Sequence, residues 1–150
     1  TSLGLSTAYL AGGAPEARVW TVEGAASVAD VARKNFEGLG LKNIQSLIGG
    51  FDEVLATQGV LDEMGPIDMA FIDGNHRYEP TLRYFETLVA RMSPASVLIF
   101  DDIHWSEEME EAWAAIQNDP RVLLAVDLFF IGLVFFREEF KVKQDFVIRF

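Results

Sequence analysis

Acidic side chains follow three apolar, strand-like runs of this sequence, each at the point where the run ends. Glu23 follows VWTV, Asp73 follows DMAFI, and the pair Asp101 and Asp102 follows SVLIF. In open sheets of parallel strands, ligands bind just beyond the carboxyl ends of the strands. Charges buried there without a partner would be costly, whereas a shared cation or a hydroxyl-rich ligand would offset that cost. The pattern therefore predicts a ligand site at this edge of a sheet.

Two histidines stand close to these acids, His76 in FIDGNHRY and His104 in LIFDDIHW. Histidine is the side chain that most often acts as a general base. His76 is therefore either a catalytic base or a solvated loop residue, whereas His104 beside Trp105 is predicted to be structural.

The acids have alternatives as well. Asp73 can bind a ligand or tie down the following turn, and Asp101 and Asp102 can bind a ligand or cap their loop.

The elements that position these residues follow from the hydrophobic pattern. Apolar runs alternate with amphipathic helices, which is typical of a parallel sheet covered on both faces. The segment 122–136 predicts two strands folded back on each other, because its 15 residues fall short of the roughly 20 that cross a bilayer. We predict a doubly wound, mostly parallel α/β sheet with a C-terminal antiparallel hairpin. The predicted strands are 18–23, 44–48, 67–73 and 96–102. The first predicted helix spans 25–39 and is ended by Gly40. The second starts near Pro80 and has an apolar stripe that reaches Met92, and the third is capped by Ser106.

Composition limits the classes of partner. The 150 residues suit one domain, and the net charge of −11 argues against nucleic acid and anionic membranes as partners. The chain has no cysteine, so a thiolate zinc site is excluded and a cytoplasmic location is the default expectation. The Phe-rich segment 129–136 is predicted to be core or a homo-oligomer surface.

The first residues, TSLGLSTAYLA, have the pattern of a glycine-containing loop that runs into a helix. Gly4 would allow close backbone approach, and Ser6 or Thr7 would lie near the helix N-terminus. Glu23 follows at the end of the next strand. In nucleotide-binding βαβ units an acid at about this spacing, roughly 20 residues on, accepts hydrogen bonds from ribose hydroxyls.

With these motifs the whole chain resembles the class I S-adenosylmethionine-dependent methyltransferases, and among them the small O-methyltransferases of the catechol O-methyltransferase type. The resemblance implies a Rossmann-like methyltransferase fold and S-adenosylmethionine as cofactor. It places Gly4 and Ser6 at the methionine end of the cofactor and Glu23 at the ribose. GGFDEVL, residues 49–55, resembles the loop that frames the adenine, with Gly49, Phe51 and Asp52 as its contacts.

The same resemblance assigns the later motifs. FIDGNHRY and LIFDDIHW match the motifs after the family's fourth and fifth strands. Asp73, Asp101 and Asp102 then fall on the divalent-metal ligands, for Mg²⁺ or a similar cation, and His76 falls on the catalytic base. The resemblance also implies catalytic and cofactor-binding roles for Asp73. The family commonly has an amide where Asp102 stands and a lysine where His76 stands.

The resemblance implies methyl transfer to an oxygen of a small-molecule acceptor, assisted by a divalent cation. The first strand of that fold and the opening of its glycine motif precede Thr1, so we expect the chain to be part of a longer protein. Three alternatives stay open: a metal-using, hydroxylase-like relative, a nucleotide-binding dehydrogenase half, and a non-catalytic cofactor-binding module. TSLGLS lacks the Gly-x-Gly-x-x-Gly spacing of the dehydrogenases.

Overall fold

The structure is a computed structural model that describes residues 1–57 and 59–149. Its contacts divide the chain into two compact units, the first Thr1–Met64 and the second starting at Gly65. Each unit is treated separately below. The expectation that the 150 residues form one domain stays a prediction.

The first unit builds a parallel two-stranded sheet with helices before, between and after the strands. The register pairs Val19 with Ile44 and Glu23 with Ile48, so both strands end at the same edge. The two predicted strands and the predicted helix agree with the structure to within one residue. The elements are α1 (Leu5–Gly13), β1 (Val19–Glu23), α2 (Ala26–Gly38), β2 (Ile44–Ile48), α3 (Phe51–Ala56) and α4 (Val60–Met64).

The end of α2 shows why the sequence stops the helix there. Gly40 adopts φ +70°, a left-handed conformation that favours glycine. The amide of Gly40 donates to the carbonyl of Glu37, and the amide of Leu41 donates to that of Phe36, both at 3.0 Å. These two bonds satisfy carbonyls that the helix leaves open, so the predicted left-handed turn at Gly40 is confirmed.

The second unit contains a mixed five-stranded sheet in the order β3-β4-β6-β5-β7. Strands β3 and β4 are parallel, as are β5 and β7, whereas β6 lies between β4 and β5 and is antiparallel to both. The predicted α/β fold class is confirmed, but this sheet is mixed and not mostly parallel, because two of its four strand pairings are antiparallel. The elements are β3 (Ile67–Ile72), α5 (Tyr78–Val89), β4 (Met92–Asp101), α6 (Glu107–Asn118), β5 (Leu124–Asp127), β6 (Ile131–Phe135) and β7 (Gln144–Val147).

The predicted helical stripe to Met92 was wrong at its end. Helix α5 ends at Val89, and Met92 is the first residue of β4, where it pairs with Ile67. The amide of Ile67 donates to the carbonyl of Arg91 at 2.9 Å, so the sheet already uses the backbone at this point. Met92 therefore joins the sheet, although its spacing from the apolar residues of α5 fits a helix.

Helix α6 packs its apolar face against the sheet. Ser106 caps it, because its hydroxyl accepts from the amide of Met109 at 3.3 Å. Trp113 and Phe100 are buried, with ring centroids 6.3 Å apart. The strand that carries Asp101 is thus held from the helical side by aromatic packing.

Among the residues that the structure describes, no helix is long and apolar enough to cross a membrane.

Candidate active site

The first unit brings three predicted cofactor-binding segments together at the carboxyl edge of its sheet. The amide of Gly49 donates to the carbonyl of Glu23 at 3.0 Å, which joins the ends of β2 and β1. The amide of Ser2 donates to Oε2 of Glu23 at 2.8 Å, which joins the loop before α1 to the same carboxylate. Gly49, Glu23 and the loop leading to Gly4 therefore lie side by side.

Backbone amides hold the carboxylate of Glu23 in its charged form. The amide of Ala25 donates to Oε1 at 3.0 Å and lowers the pKa of Glu23. Burial opposes this shift, and the bond from Ser2 adds to it. Glu23 thus stands as an oriented, ionised acceptor at a strand end, which is the property that a pair of ribose hydroxyls requires.

Gly4 has a reason within the chain for being glycine. It is the N-cap of α1 with φ +89°, and a β-carbon built on it would lie 2.6 Å from Cε1 of Phe36. Close backbone approach was predicted, and the structure shows it toward the ring of Phe36 on α2. Ser6 lies exposed in the first turn of α1. The contacts of Gly4 and Ser6 with the cofactor stay predictions.

The predicted adenine loop was wrong in its conformation. Phe51 and Asp52 lie in the first turn of α3, and only Gly49 and Gly50 precede the helix. The carboxylate of Glu53 accepts from the amide of Gly50 at 3.3 Å and so caps the helix from within its first turn. The roles of Gly49, Phe51 and Asp52 in cofactor binding stay predictions, now on a turn and a helix start.

The second unit gathers the other predicted residues at the ends of two parallel strands. Asp73 directly follows β3, and Asp101 ends β4 next to it, because Ile72 pairs with Phe100. Nε2 of His76 lies 3.8 Å from Oδ1 of Asp73 and 3.9 Å from Oδ2 of Asp102. These distances exceed hydrogen-bond length but suit charge pairing with a protonated imidazole. His76 thus stands between two carboxylates.

The carboxyl group of Asp101 also lies close to other negatively charged side chains. Burial raises the pKa of its carboxyl group above the ordinary range, and the negative charges of Asp73 and Asp102 raise it further. Asp102 adopts φ +54°, which turns the chain sharply after the strand. The three aspartates therefore form an acidic cluster whose charges act on one another.

The predicted metal site at Asp73, Asp101 and Asp102 is not supported. Across residues 1–57 and 59–149, no group of three or more histidine, aspartate or glutamate side chains is arranged to hold a metal ion. His76 lies close to two of these carboxylates, with its Nε2 3.8 Å from Oδ1 of Asp73 and 3.9 Å from Oδ2 of Asp102. The side chains present therefore do not close a cation site in this arrangement.

A second polar cluster, which the sequence did not predict, surrounds His104. Its Nε2 lies 2.8 Å from Oδ2 of the buried Asp127, and its Nδ1 lies 3.1 Å from Oε1 of Glu110. Burial opposes protonation of His104, but the bonds to Asp127 and Glu110 outweigh it and raise the pKa of the imidazole. Arg149 also donates to Asp127, at 2.9 Å. The only signal in the sequence was an aspartate inside the apolar run 122–136.

Most of this chain matches a known protein family. A family model described as "methyltransferase domain" matches residues 1–103. The chain belongs to this methyltransferase family. No curated protein matches the chain significantly. Together with the α/β fold, the match identifies an S-adenosylmethionine-dependent methyltransferase of the class I fold.

Solved structures of other methyltransferases share this fold. The O-methyltransferase from Bacillus cereus, in complex with SAH, is 26% identical with a TM-score of 0.72, and the match covers 89% of this chain and 70% of that one. The O-methyltransferase TomG from Streptomyces achromogenes, in complex with SAM, is 19% identical with a TM-score of 0.76, over 91% of this chain and 70% of that one. An rRNA methylase from Streptococcus thermophilus is 17% identical with a TM-score of 0.70, over 91% and 82%. The methyltransferase fold is thus common to enzymes that differ in their acceptors.

Proposed function

We propose that this methyltransferase transfers the methyl group of S-adenosylmethionine to an oxygen of a small-molecule acceptor. The observation that carries the proposal is the position of His76, whose Nε2 lies 3.8 and 3.9 Å from the carboxylates of Asp73 and Asp102 at the strand ends. A base in such a place can take the proton of an acceptor hydroxyl.

Each proposed role rests on contacts within a single unit. The first unit supplies the cofactor-binding groups: Glu23 for the ribose hydroxyls, the loop of Gly4 and Ser6 for the methionine end, and the turn at Gly49 with Phe51 and Asp52 for the adenine. The support is that Ser2 and Gly49 are both hydrogen-bonded to Glu23. The second unit supplies the groups that act on the acceptor.

The chemical step is an in-line displacement. A lone pair of the acceptor oxygen attacks the methyl carbon, and the electrons of the carbon–sulfur bond return to sulfur, which leaves S-adenosylhomocysteine. The proton of the hydroxyl passes to His76. Orientation of the reactants supplies much of the acceleration in such reactions, so residues that fix the acceptor matter as much as the base.

A divalent cation is not part of the proposed step, because the described aspartates and His76 do not close a three-ligand group. If a cation did bind between Asp73, Asp101 and Asp102, their oxygen ligands would suit Mg²⁺, and it would lower the pKa of a coordinated hydroxyl. The metal-using, hydroxylase-like alternative depends on the same site and receives no support from this geometry.

RNA is the second acceptor class to consider, because two of the structural neighbours are described as rRNA methylases. The net charge of −11 opposes binding to a phosphate backbone, which requires lysine and arginine contacts. We therefore propose a small molecule, in preference to RNA, as the methyl acceptor.

The test combines cofactor binding with an acceptor panel. Calorimetry should show that S-adenosylhomocysteine binds and that NAD does not. Hydroxylated small molecules, with 3,4-dihydroxybenzoate among them, and an rRNA transcript are then incubated with S-adenosylmethionine, and the methylated product is identified by mass spectrometry. An O-methylated small molecule supports the proposal. N-methylated or RNA products only, or binding of NAD instead of S-adenosylhomocysteine, would overturn it.

A further inference from the structure

Besides Asn75 after β3, two loops of the second unit contain a non-glycine residue in the left-handed conformation. Asp102, after β4, has φ +54°, and Phe129, in the turn between β5 and β6, has φ +74°. Such a conformation is unusual for a bulky aromatic residue and persists only where the surrounding contacts determine it. The loops at Asp102 and Phe129 therefore depend on contacts with other parts of the chain to keep this conformation.

The backbone links these two loops to each other. Strands β4 and β6 pair Asp101 with Ile131, so the loop after β4 lies beside the turn that precedes β6. The amide of Ile103 donates to the carbonyl of Phe130 at 3.4 Å. This bond is long, and the amide of Trp105 donates to the carbonyl of Asp102 at 2.9 Å within the loop, so side chains add to a restraint that the backbone supplies in part.

The carboxylate of Asp127 restrains the turn. Its Oδ1 accepts from the amide of Phe129 at 2.8 Å and from Arg149 at 2.9 Å, and its Oδ2 lies 2.8 Å from Nε2 of His104. Asp127 is only 5% exposed, so water competes little for these bonds. One carboxylate thus connects the turn at Phe129 with the loop that carries His104.

The ring of His104 completes the connection. It stacks on Phe129 with a centroid distance of 5.6 Å, and its Nδ1 reaches Glu110 on α6 at 3.1 Å. His104 therefore contacts α6, the end of β5 and the turn at once. It is separated by only one residue from Asp102, which flanks His76.

We propose that His104, paired with Asp127, is a positioning residue that fixes the loop 102–105 and so holds Asp102 in place beside His76. The inference rests on the proposed function, because Asp102 matters to it as a neighbour of the base. His104 itself acts through the loop and does not touch the reacting atoms.

The test compares His104→Ala and His104→Gln with a control ion pair elsewhere in the same unit. His104→Gln retains a side-chain amide that can donate to Asp127. Arg121→Ala is the control, because Arg121 bonds Asp119 and Glu86 in an exposed ion-pair group on α5 and the end of α6. Amide hydrogen exchange is measured for residues 101–105 and 128–131, together with kcat for 3,4-dihydroxybenzoate and the Kd for S-adenosylhomocysteine.

We expect His104→Ala to accelerate exchange in both segments and to lower kcat by about 10- to 100-fold, the effect of a misplaced group, while the Kd changes less than about twofold. His104→Gln should restore slow exchange and part of kcat. Arg121→Ala should change neither. Unchanged exchange at 101–105 in His104→Ala would overturn the inference, as would a loss of kcat that glutamine does not relieve. If the wild-type enzyme methylates no acceptor, the proposed function fails by that result, and the exchange data still decide whether His104 fixes the loop.

Discussion

A β-carbon on Gly4 would lie 2.6 Å from Cε1 of Phe36, a buried ring on the neighbouring helix α2. Gly4→Ala should therefore lower the free energy of unfolding by at least about 2 kcal/mol, from the left-handed backbone and the clash together. Urea unfolding measures this change. Gly13→Ala is the control, since its β-carbon would meet nothing within 4 Å, and it should leave stability unchanged or raise it by up to about 1 kcal/mol. Equal effects of the two substitutions would contradict the role of Phe36.

Glu23 should contribute directly to cofactor affinity. Glu23→Ala removes the acceptor at the end of β1, and we expect S-adenosylhomocysteine to bind more weakly by about 1 to 3 kcal/mol, the cost of unpaired hydroxyls. Calorimetry checks the change. Glu16→Gln, an exposed acid in the loop between α1 and β1, serves as the control and should bind like the wild type. Equal affinity of Glu23→Ala and the control would remove Glu23 from the cofactor site.

The pH dependence of stability follows from the lowered pKa of Glu23. An acid whose pKa is lower in the folded state than in the unfolded state stabilises the fold above its unfolded pKa, here an ordinary value of 4.5. That stabilisation is lost as the pH falls through the lower, folded pKa. The difference in unfolding free energy between the wild type and Glu23→Gln should therefore stay constant from pH 7 to 5 and shrink below pH 4.5. A difference that grows on acidification would refute this assignment.

His76 should affect turnover and not cofactor binding. His76→Ala removes the proposed base between Asp73 and Asp102 and should lower kcat by about 10²- to 10⁴-fold, the usual contribution of general base catalysis. The Kd for S-adenosylhomocysteine should stay unchanged. Glu79→Gln, an exposed neighbour at the start of α5, is the control and should keep full activity. A His76→Ala enzyme with wild-type kcat would show that the base lies elsewhere.

Magnesium should not stabilise the protein in the arrangement seen here. The described histidine, aspartate and glutamate side chains do not close a metal site, so millimolar Mg²⁺ should leave the thermal midpoint where EDTA leaves it. Thermal unfolding followed by circular dichroism checks this. A rise in the midpoint with Mg²⁺ that Asp101→Asn abolishes would support the predicted metal site at Asp73, Asp101 and Asp102.

Local features of this protein could be predicted from the sequence because neighbouring residues produce them. Ser106 caps α6, and Gly40 ends α2 in a left-handed turn, as their residue types indicated. Glu23, Asp73 and Asp101 were expected to share one sheet edge. Asp73 and Asp101 do lie side by side, whereas Glu23 ends a strand of the separate two-stranded sheet. The family resemblance, which the motifs suggested, agrees with the matched methyltransferase family.

Other features depended on the order and register of the strands. Because β6 inserts between β4 and β5, the turn at Phe129 lies beside the loop after β4, and His104 meets Asp127, 23 residues away. Likewise, only the folded chain places His76 between two carboxylates and the ring of Phe36 against Gly4. Hydrophobic periodicity determines which face of a strand is buried, but contacts between distant residues depend on which strands pair and in which register. The sequence alone thus determined most of the strands and helices and pointed to the family, and the tertiary structure decided where some elements end and which side chains meet.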